Sequence, residues 1–247
     1  MKKNACVIIP ARFNSSRYPG KPLVLLAGKP LIVWVCELSS KAVGNQNVFV
    51  ATDSTEIKGV VQSNGYQTIM TSQTAPTGTD RIAEALELES LEYDIIVNVQ
   101  GDEPMVDPQD ILRVIDLKSE NSDRVINCFS YLTEKESVHS KNIPKVVINE
   151  KNDLVYISRS PIPGCKTSEL TSKQYKKQVC IYGFSKQDLH LFKKFGKKSE
   201  IEICEDIEIL RFFELGINIL MHECKSESLA VDCPEDVKIV EKELTRN

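Results

Sequence analysis

The sequence has no apolar run near the roughly 18 residues that cross a bilayer, so it predicts no membrane span. Near the amino terminus, two lysines precede an apolar run that is too short for the core of a secretory signal, and Arg12 follows that run. We therefore expect a cytoplasmic protein in which this apolar run forms the first strand.

Patterns that bind zinc or nucleic acid are missing as well. The eight cysteines form no C-x-x-C pair and the three histidines are scattered, so a zinc site is not predicted. Cys6, Cys36 and Cys180 lie inside apolar runs, which favours reduced, buried thiols. The net charge of -4 gives no sign of a nucleic-acid partner.

Two common nucleotide fingerprints are absent. The sequence has no G-x-G-x-x-G, which argues against a dehydrogenase, and no G-x-x-x-x-G-K-[ST], which argues against a Walker-type phosphate loop. A nucleotide site in this chain must therefore use another loop.

Apolar runs alternate with amphipathic segments in the first half of the chain. The predicted strands end near residues 9, 53, 70 and 99, and the predicted helices span about 30–42, 54–64, 78–91 and 108–119. This order predicts an α/β fold with a mostly parallel sheet. We expect a single domain over residues 1–247, with a β-rich insertion around 125–185, a helix over 202–214, a strand over 217–222 and a last helix over 237–244.

The loop after the first strand is rich in cations and hydrogen-bond donors. It contains Arg12, Arg17 and Lys21 together with the flexible Gly20. Because ligands of α/β proteins bind outside the carboxyl ends of the strands, this loop predicts a phosphate site. An ordinary solvated loop is the alternative.

Two acids also follow buried apolar stretches. Asp102 comes after a predicted strand and beside Gly101, and Asp232 follows a short apolar stretch. Mg²⁺ takes one or two protein carboxylates and completes its shell with water and phosphates, so the pair predicts a magnesium site. Alternatively, Asp102 is a turn residue and Asp232 caps the last helix.

Two further segments are candidate ligand contacts. The segment 78–81 opens a helix, where we expect Thr79 to be the N-cap and Gly78 to let a planar ring approach. Arg159 is followed by two prolines that stiffen its segment, and such an arginine can bind a carboxylate bidentately. A capped helix without a ligand and a surface arginine are the alternatives.

Eight sequence blocks carry a resemblance that covers nearly the whole chain. They are VIIPARFNSSRYPGKPL, AGKPLI, VFVATD, GTDR, VNVQGDEP, YISRSPIP, IYGF and VDCPEDV, in this order. The sequence resembles the 3-deoxy-manno-octulosonate cytidylyltransferases, also called CMP-Kdo synthetases. The resemblance implies a Rossmann-like nucleotidyltransferase fold and a homodimer formed through the β-rich insertion. It also implies transfer of CMP from CTP to the anomeric hydroxyl of the sugar acid Kdo, with magnesium, for lipopolysaccharide or capsule synthesis.

The resemblance also implies a role for each matching residue. Arg12, Lys21, Asp102 and Asp232 are expected to be catalytic, and the two aspartates to hold the metal. The expected nucleotide-binding residues are Pro10, Ala11, Arg12, Lys21, Gly78 and Thr79. The expected sugar-binding residues are Gln100, Arg159, Gln178 and Tyr182.

Position 178 departs from the family pattern. The family usually shows histidine where this chain has Gln178. The departure leaves open a cytidylyltransferase for another keto sugar acid, such as 8-amino-Kdo or a nonulosonic acid. A nucleotide-binding relative without turnover is a further alternative, although this chain retains Lys21 and both acids.

Overall fold

In a computed structural model, the chain is described over residues 3–14, 18–134, 136–166, 171–224 and 229–245. Residues 15–17 of the predicted phosphate loop, Arg17 among them, lie outside the described residues.

Strands and helices alternate through the first half of the chain. The strands are β1 (Ala5–Ala11), β2 (Leu25–Leu26), β3 (Lys29–Pro30), β4 (Val48–Thr52), β5 (Gln67–Met70), β6 (Ile95–Val99), β7 (Val125–Tyr131), β8 (Lys145–Ile148), β9 (Leu154–Ser158), β10 (Lys176–Phe184) and β11 (Ile219–Glu223). The helices are α1 (Leu31–Val43), α2 (Thr55–Ser63), α3 (Gly78–Leu88), α4 (Pro108–Glu120), α5 (Lys186–Lys194), α6 (Glu200–Glu205), α7 (Leu210–Glu214) and α8 (Asp236–Leu244).

The main sheet has the strand order β11-β7-β10-β6-β1-β4-β5. The strands from β6 to β5 are parallel, whereas β10 runs antiparallel to both β6 and β7. Strand β8 branches off β10, and β9 pairs with β8. Because β10 is antiparallel, its amino-terminal half lies beside the carboxyl end of β6, where ligands of such sheets bind.

The burial pattern of strand β1 shows that the sheet is covered on both faces. All of its residues are buried, and they alternate between two apolar clusters. Val7 and Ile9 pack on the side of α1, α2 and α4, while Cys6 and Ile8 pack on the side of α3, α5 and α7. The near-continuous apolar run in the sequence follows from this two-sided burial.

The structure corrects two predicted elements and adds a helix. The predicted helix 202–214 is two short helices, because Asp206 adopts the left-handed conformation with φ of 50° between α6 and α7. Strand β1 continues through Pro10 to Ala11, beyond its last pairing with β6 at Ile8. Helix α5 was not predicted. Among the described helices, none is long and apolar enough to cross a membrane.

Helix α8 returns the end of the chain to the carboxyl edge of the sheet. Val240 of α8 and Val231 before it are buried against Leu26 and Leu31 of the β2–β3 hairpin region. The backbone N–H of Val231 donates to the carbonyl of Asp102 at 3.0 Å. This packing and this hydrogen bond place Asp232 next to the loop that follows β6.

Candidate active site

A cleft of about 1610 Å³ opens at the carboxyl ends of β1 and β6. It brings together every site residue predicted from the sequence except Thr79. The members of the predicted set that line the cleft are Pro10, Ala11, Arg12, Lys21, Gly78, Gln100, Asp102, Arg159, Gln178, Tyr182 and Asp232. Residues more than 200 positions apart therefore share one cavity.

Lys21 lies between the two predicted metal acids. Its Nζ is 2.6 Å from Oδ2 of Asp102 and 3.9 Å from Oδ1 of Asp232. The side chains are 12%, 25% and 22% exposed, respectively, so all three remain accessible from the cleft. The carboxylates converge on one cationic group, and that group can also bind an anion.

Two glycines let the backbone form this cluster. Gly20 adopts φ of 72°, and its N–H donates to the carbonyl of Phe13 at 2.8 Å, which closes the loop just before Lys21. A Cβ added at Gly101 would lie 3.1 Å from the carbonyl oxygen of Pro10. A side chain at position 101 would therefore push apart the loops that follow β1 and β6.

The start of α3 differs from the prediction. The N-cap is Thr77, whose hydroxyl accepts from the N–H of Asp80 at 3.1 Å, so the assignment of Thr79 as N-cap was wrong. Thr79 itself is buried and its N–H donates to Oε2 of Glu208 at 3.0 Å. A Cβ at Gly78 would lie 3.1 Å from Nε2 of Gln100 and 3.2 Å from Cγ of Pro10, so a side chain at position 78 would have to displace these neighbours.

Glu208 is a site residue to which the sequence assigned no role. Besides Thr79, it accepts from Nε2 of Gln100 at 3.0 Å, and it lines the cleft. Burial raises the pKa of the Glu208 carboxyl above its ordinary value, although hydrogen bonds from Thr79 and Thr77 act in the opposite direction. Glu208 therefore links the first turn of α3 to the loop after β6.

A buried ion cluster holds the segment that carries Glu208. Arg211 is fully buried and binds two carboxylates, each bidentately. Its guanidinium donates to Asp80 at 2.8 and 3.1 Å and to Glu202 at 2.8 Å through two nitrogens. Because Asp80 belongs to α3, the cluster joins the first turn of α3 to α6 and α7.

Arg159 lies on the far wall of the cleft, and backbone carbonyls hold its guanidinium. It donates to the carbonyls of Glu205 at 2.6 Å, Asp206 at 2.8 Å and Lys141 at 2.7 Å. The buried Lys145 donates in turn to the carbonyl of Arg159 at 2.5 Å. The predicted arginine is thus fixed by contacts with Lys141, Lys145 and residues 205–206 rather than by its neighbouring prolines alone.

Gln178 and Tyr182 meet on β10, where the strand bulges. The register with β7 shifts between Val179 and Tyr182. Nε2 of Gln178 donates to Oδ1 of Asn127 at 3.0 Å and to Oη of Tyr182 at 3.2 Å. Burial, followed by the neighbouring Cys180, raises the pKa of the Tyr182 hydroxyl well above its ordinary value, so this phenol stays protonated.

Comparison with known proteins identifies the family. The family model described as "Cytidylyltransferase" matches residues 6–219. The chain belongs to the cytidylyltransferase family. The predicted family, the predicted α/β fold and the predicted enzyme class, a nucleotidyltransferase, are confirmed.

Individual relatives match this cytidylyltransferase over nearly its full length. The 3-deoxy-manno-octulosonate cytidylyltransferase of Thermodesulfovibrio yellowstonii is 37% identical over 246 residues, which cover 95% of this chain and 96% of that protein. The 8-amino-3,8-dideoxy-manno-octulosonate cytidylyltransferase of Shewanella pealeana is 35% identical, covering 98% of this chain and 99% of that protein. The structure of CMP:2-keto-3-deoxy-manno-octonic acid synthetase complexed with CTP is 34% identical with a TM-score of 0.88, covering 99% of each chain.

The acids of the cytidylyltransferase cleft fit a hard divalent cation. The Lys21 ammonium lies between Asp102 and Asp232, which shows that a positive charge is accommodated there. In the described part of the chain, no group of three or more histidine, cysteine, aspartate or glutamate side chains could hold a metal ion. Two carboxylates suit Mg²⁺, which keeps several waters and takes phosphate oxygens for the rest of its shell.

Asn127 and Glu208 were not assigned to the site from the sequence, although the sequence pattern around each of them is unusual. Asn127 is a polar residue inside the otherwise apolar start of β7, and buried amides need hydrogen-bond partners. Glu208 is an acid between apolar residues in the segment that links α6 to α7. Neither signal indicates the partner, since each partner lies on a distant segment of the chain.

Glu208→Gln is expected to change how stability depends on pH. A carboxyl whose pKa is higher in the folded state than in the unfolded state destabilises the folded state at pH values above its ordinary pKa of 4.5. Below that value the protonated carboxyl adds no such cost. The free energy of unfolding of the wild type, relative to the variant, should fall as pH rises and then level off above the raised pKa. Each pKa unit between the folded and unfolded carboxyl corresponds to about 1.4 kcal/mol.

Urea unfolding of both proteins from pH 4 to pH 8 measures this difference. Glu92→Gln is a matched control, because Glu92 is mostly exposed and pairs with Lys186 on the surface. A wild type that gains stability over Glu208→Gln as pH rises would show that the sign of the shift is wrong.

Proposed function

We propose that this cytidylyltransferase joins CTP to 3-deoxy-manno-octulosonate, forming CMP-Kdo and releasing pyrophosphate. The observation that carries the proposal is the convergence of Lys21, Asp102 and Asp232 at one point of the cleft. Attack of an anomeric hydroxyl on the α-phosphorus transfers negative charge to pyrophosphate, and Lys21 would stabilise that charge together with a divalent cation held by the two acids. The relative from Thermodesulfovibrio yellowstonii and the CTP-complexed synthetase support the choice of substrates.

The nucleotide is assigned to the side of the cleft formed by β1 and the start of α3. Arg12 is exposed at the end of β1 and Lys21 lies beyond it, so both can bind the triphosphate. Pro10 and Ala11 contribute backbone, and Gly78, which lines the same side of the cleft, is assigned to the cytosine ring. Thr79 is buried behind this wall and its N–H donates to Glu208, so its contribution to the nucleotide side is to hold Glu208 in place.

Asp102 and Asp232 would hold Mg²⁺, as the sequence predicts. When bound, the metal would supply positive charge close to the phosphates of CTP. Asp102 also holds Lys21 at 2.6 Å, and this contact directs the ammonium toward the same part of the cleft. The two acids thus position both a protein cation and the metal.

The sugar acid is assigned to the side of the cleft formed by β10 and the segment after β9. Arg159 is a cation of this wall and is expected to attract the sugar carboxylate. Gln100, Gln178 and Tyr182 line the same region and offer neutral hydrogen-bonding groups. The carboxylate of the sugar is therefore assigned to a cationic side chain, and the hydroxyl groups of the sugar are assigned to neutral side chains.

Pyrophosphate release with a panel of donors and acceptors tests this function. With Mg²⁺, CTP and Kdo we expect turnover, and with ATP in place of CTP we expect a rate lower by at least tenfold, because a purine is larger than cytosine and leaves buried polar groups unpaired. Equal rates with ATP and CTP would contradict the nucleotide assignment. Turnover with 8-amino-Kdo or a nonulosonic acid but not with Kdo would replace the proposed sugar by the alternative.

A homodimer through the β-rich insertion is also proposed. Support comes from β9, whose described pairing partner in the sheet is β8 and whose Val155 is about half exposed. Ile203 of α6 is exposed as well, and α6 lies against β9 because Tyr156 donates to Glu205. Light scattering should give twice the chain mass for the wild type, and Val155→Asp should shift the mass toward the monomer.

The cytoplasmic location and the link to lipopolysaccharide or capsule synthesis stay predictions.

A further inference from the structure

Asn127 is a buried amide at the bulge of β10, directly behind the sugar side of the cleft. It is 0% exposed. Its Nδ2 donates to the carbonyl of Val179 at 3.1 Å and to that of Ile181 at 2.9 Å. The register shift leaves these carbonyls on either side of the bulge, and one side-chain amide satisfies both of them.

The two hydrogen bonds decide which atom Asn127 offers to Gln178. Both hydrogens of Nδ2 are used, so the remaining atom, Oδ1, can only accept. Gln178 meets it with Nε2 at 3.0 Å, and the same nitrogen reaches Oη of Tyr182 at 3.2 Å. The opposite orientation of the Gln178 amide would place two oxygens against each other.

We propose that Asn127 is a positioning residue that turns the carbonyl oxygen of Gln178 toward the cleft, where it accepts a hydrogen bond from a donor on the sugar. Gln178 lines the cleft, and its nitrogen is committed to Asn127 and Tyr182 behind it. An amide oxygen repels a carboxylate and attracts a hydroxyl or an ammonium group. Position 178 therefore selects a hydrogen-bond donor of the sugar and leaves the carboxylate to Arg159.

The inference rests on the proposed function and deepens it. The hydrogen-bond donor can be a hydroxyl that all these sugars share or the ammonium of an 8-amino sugar. Both are recognised by the same acceptor oxygen, so the experiment compares Kdo with 8-amino-Kdo.

The test is a double-mutant cycle with KM for the sugar and KM for CTP as separate readouts. Gln178→Met keeps the length of the side chain and removes the acceptor, so KM for the sugar should rise about tenfold while KM for CTP stays within about twofold. Asn127→Leu should raise KM for the sugar to a similar extent. In the Gln178→Met background, Asn127→Leu should add nothing, because it acts through Gln178.

Two further variants separate positioning from stability. Asn127→Asp keeps an oxygen that accepts from Gln178, so KM for the sugar should stay within about twofold even if the protein unfolds more easily. Asn47→Leu is the matched control, since Asn47 likewise donates to a carbonyl, that of Val43, and accepts from Tyr93 away from the cleft. If Asn127→Leu does not fold, Gln178→Met and Asn127→Asp still decide, because a tenfold rise of KM for the sugar in Asn127→Asp, which keeps the acceptor, would overturn the inference.

The kinetics of the variants with the two sugars distinguish the possible hydrogen-bond donors. An equal loss with both sugars in Gln178→Met assigns the donor to a shared hydroxyl, and a loss confined to 8-amino-Kdo assigns it to the ammonium. The inference is overturned if Gln178→Met leaves KM for both sugars unchanged, or if Asn127→Leu raises that KM equally in both backgrounds. A wild type that turns over no keto sugar acid would instead overturn the proposed function.

Discussion

Asp102→Asn and Asp232→Asn are each expected to lower kcat by about 10²–10³, the loss found when one electrostatic stabiliser of a transition state is removed. Each change removes a negative charge from the proposed metal site while keeping the size of the side chain. The two variants should differ in KM for CTP. Lys21 is 2.6 Å from Asp102 and 3.9 Å from Asp232, so Asp102→Asn also frees the ammonium, and it should raise KM for CTP more.

Steady-state kinetics at several Mg²⁺ concentrations measures both effects. Asp116→Asn is the matched control, because Asp116 is about half exposed and pairs with Lys3 on the surface. Its kcat should equal that of the wild type. Circular dichroism must show that all three variants are folded. If either active-site variant kept a kcat within twofold of the wild type, the assignment of that acid to the metal would be wrong.

Arg211→Met is expected to cost about 3–5 kcal/mol of unfolding free energy, the range for removing one partner of a buried ion cluster. The change leaves the carboxylates of Asp80 and Glu202 in the interior without their cation. The loss should exceed that of an ordinary surface ion pair several-fold. It should also loosen the contact between Glu208 and the first turn of α3, because Arg211 ties those elements together.

Denaturant unfolding of Arg211→Met gives this free energy. Lys186→Met is a suitable control, since Lys186 pairs with Glu92 on the surface and its loss should cost less than about 1 kcal/mol. A cost below about 1 kcal/mol for Arg211→Met would mean that the two acids become protonated or hydrated at little cost, and that the cluster does not hold α3 to α7.

The sequence was sufficient to predict that Asp102 and the loop carrying Lys21 lie together at one edge of the sheet. Asp102 and the loop that carries Lys21 follow two strands that prove to be adjacent, and the carboxyl ends of adjacent parallel strands share one edge of the sheet. The alternation of strands and helices therefore predicts that these residues meet. The same argument does not reach Asp232, because the apolar stretch before it forms no strand and is placed by the packing of α8 and by the hydrogen bond from Val231 to Asp102.

The walls of the site depend on contacts that sequence spacing does not reveal. Thr79 was expected to cap α3, but Thr77 has the same kind of hydroxyl two residues earlier, and only the backbone geometry decides between them. The apolar and acidic spacing of residues 202–214 continues through Asp206, so the break that brings Glu208 to the cleft was not visible. The partners of Asn127 depend on a bulge in β10, and a bulge has no fixed sequence signature.

The most direct test of the central claim is ³¹P NMR of the products formed from CTP and Kdo labelled with ¹³C at C2. The account predicts one new phosphodiester signal, split by coupling to the labelled anomeric carbon, together with an equal amount of pyrophosphate. A phosphodiester signal without that coupling, or CDP and inorganic phosphate as the products, would contradict the claim that this cleft joins the anomeric oxygen of the sugar to the α-phosphorus of CTP.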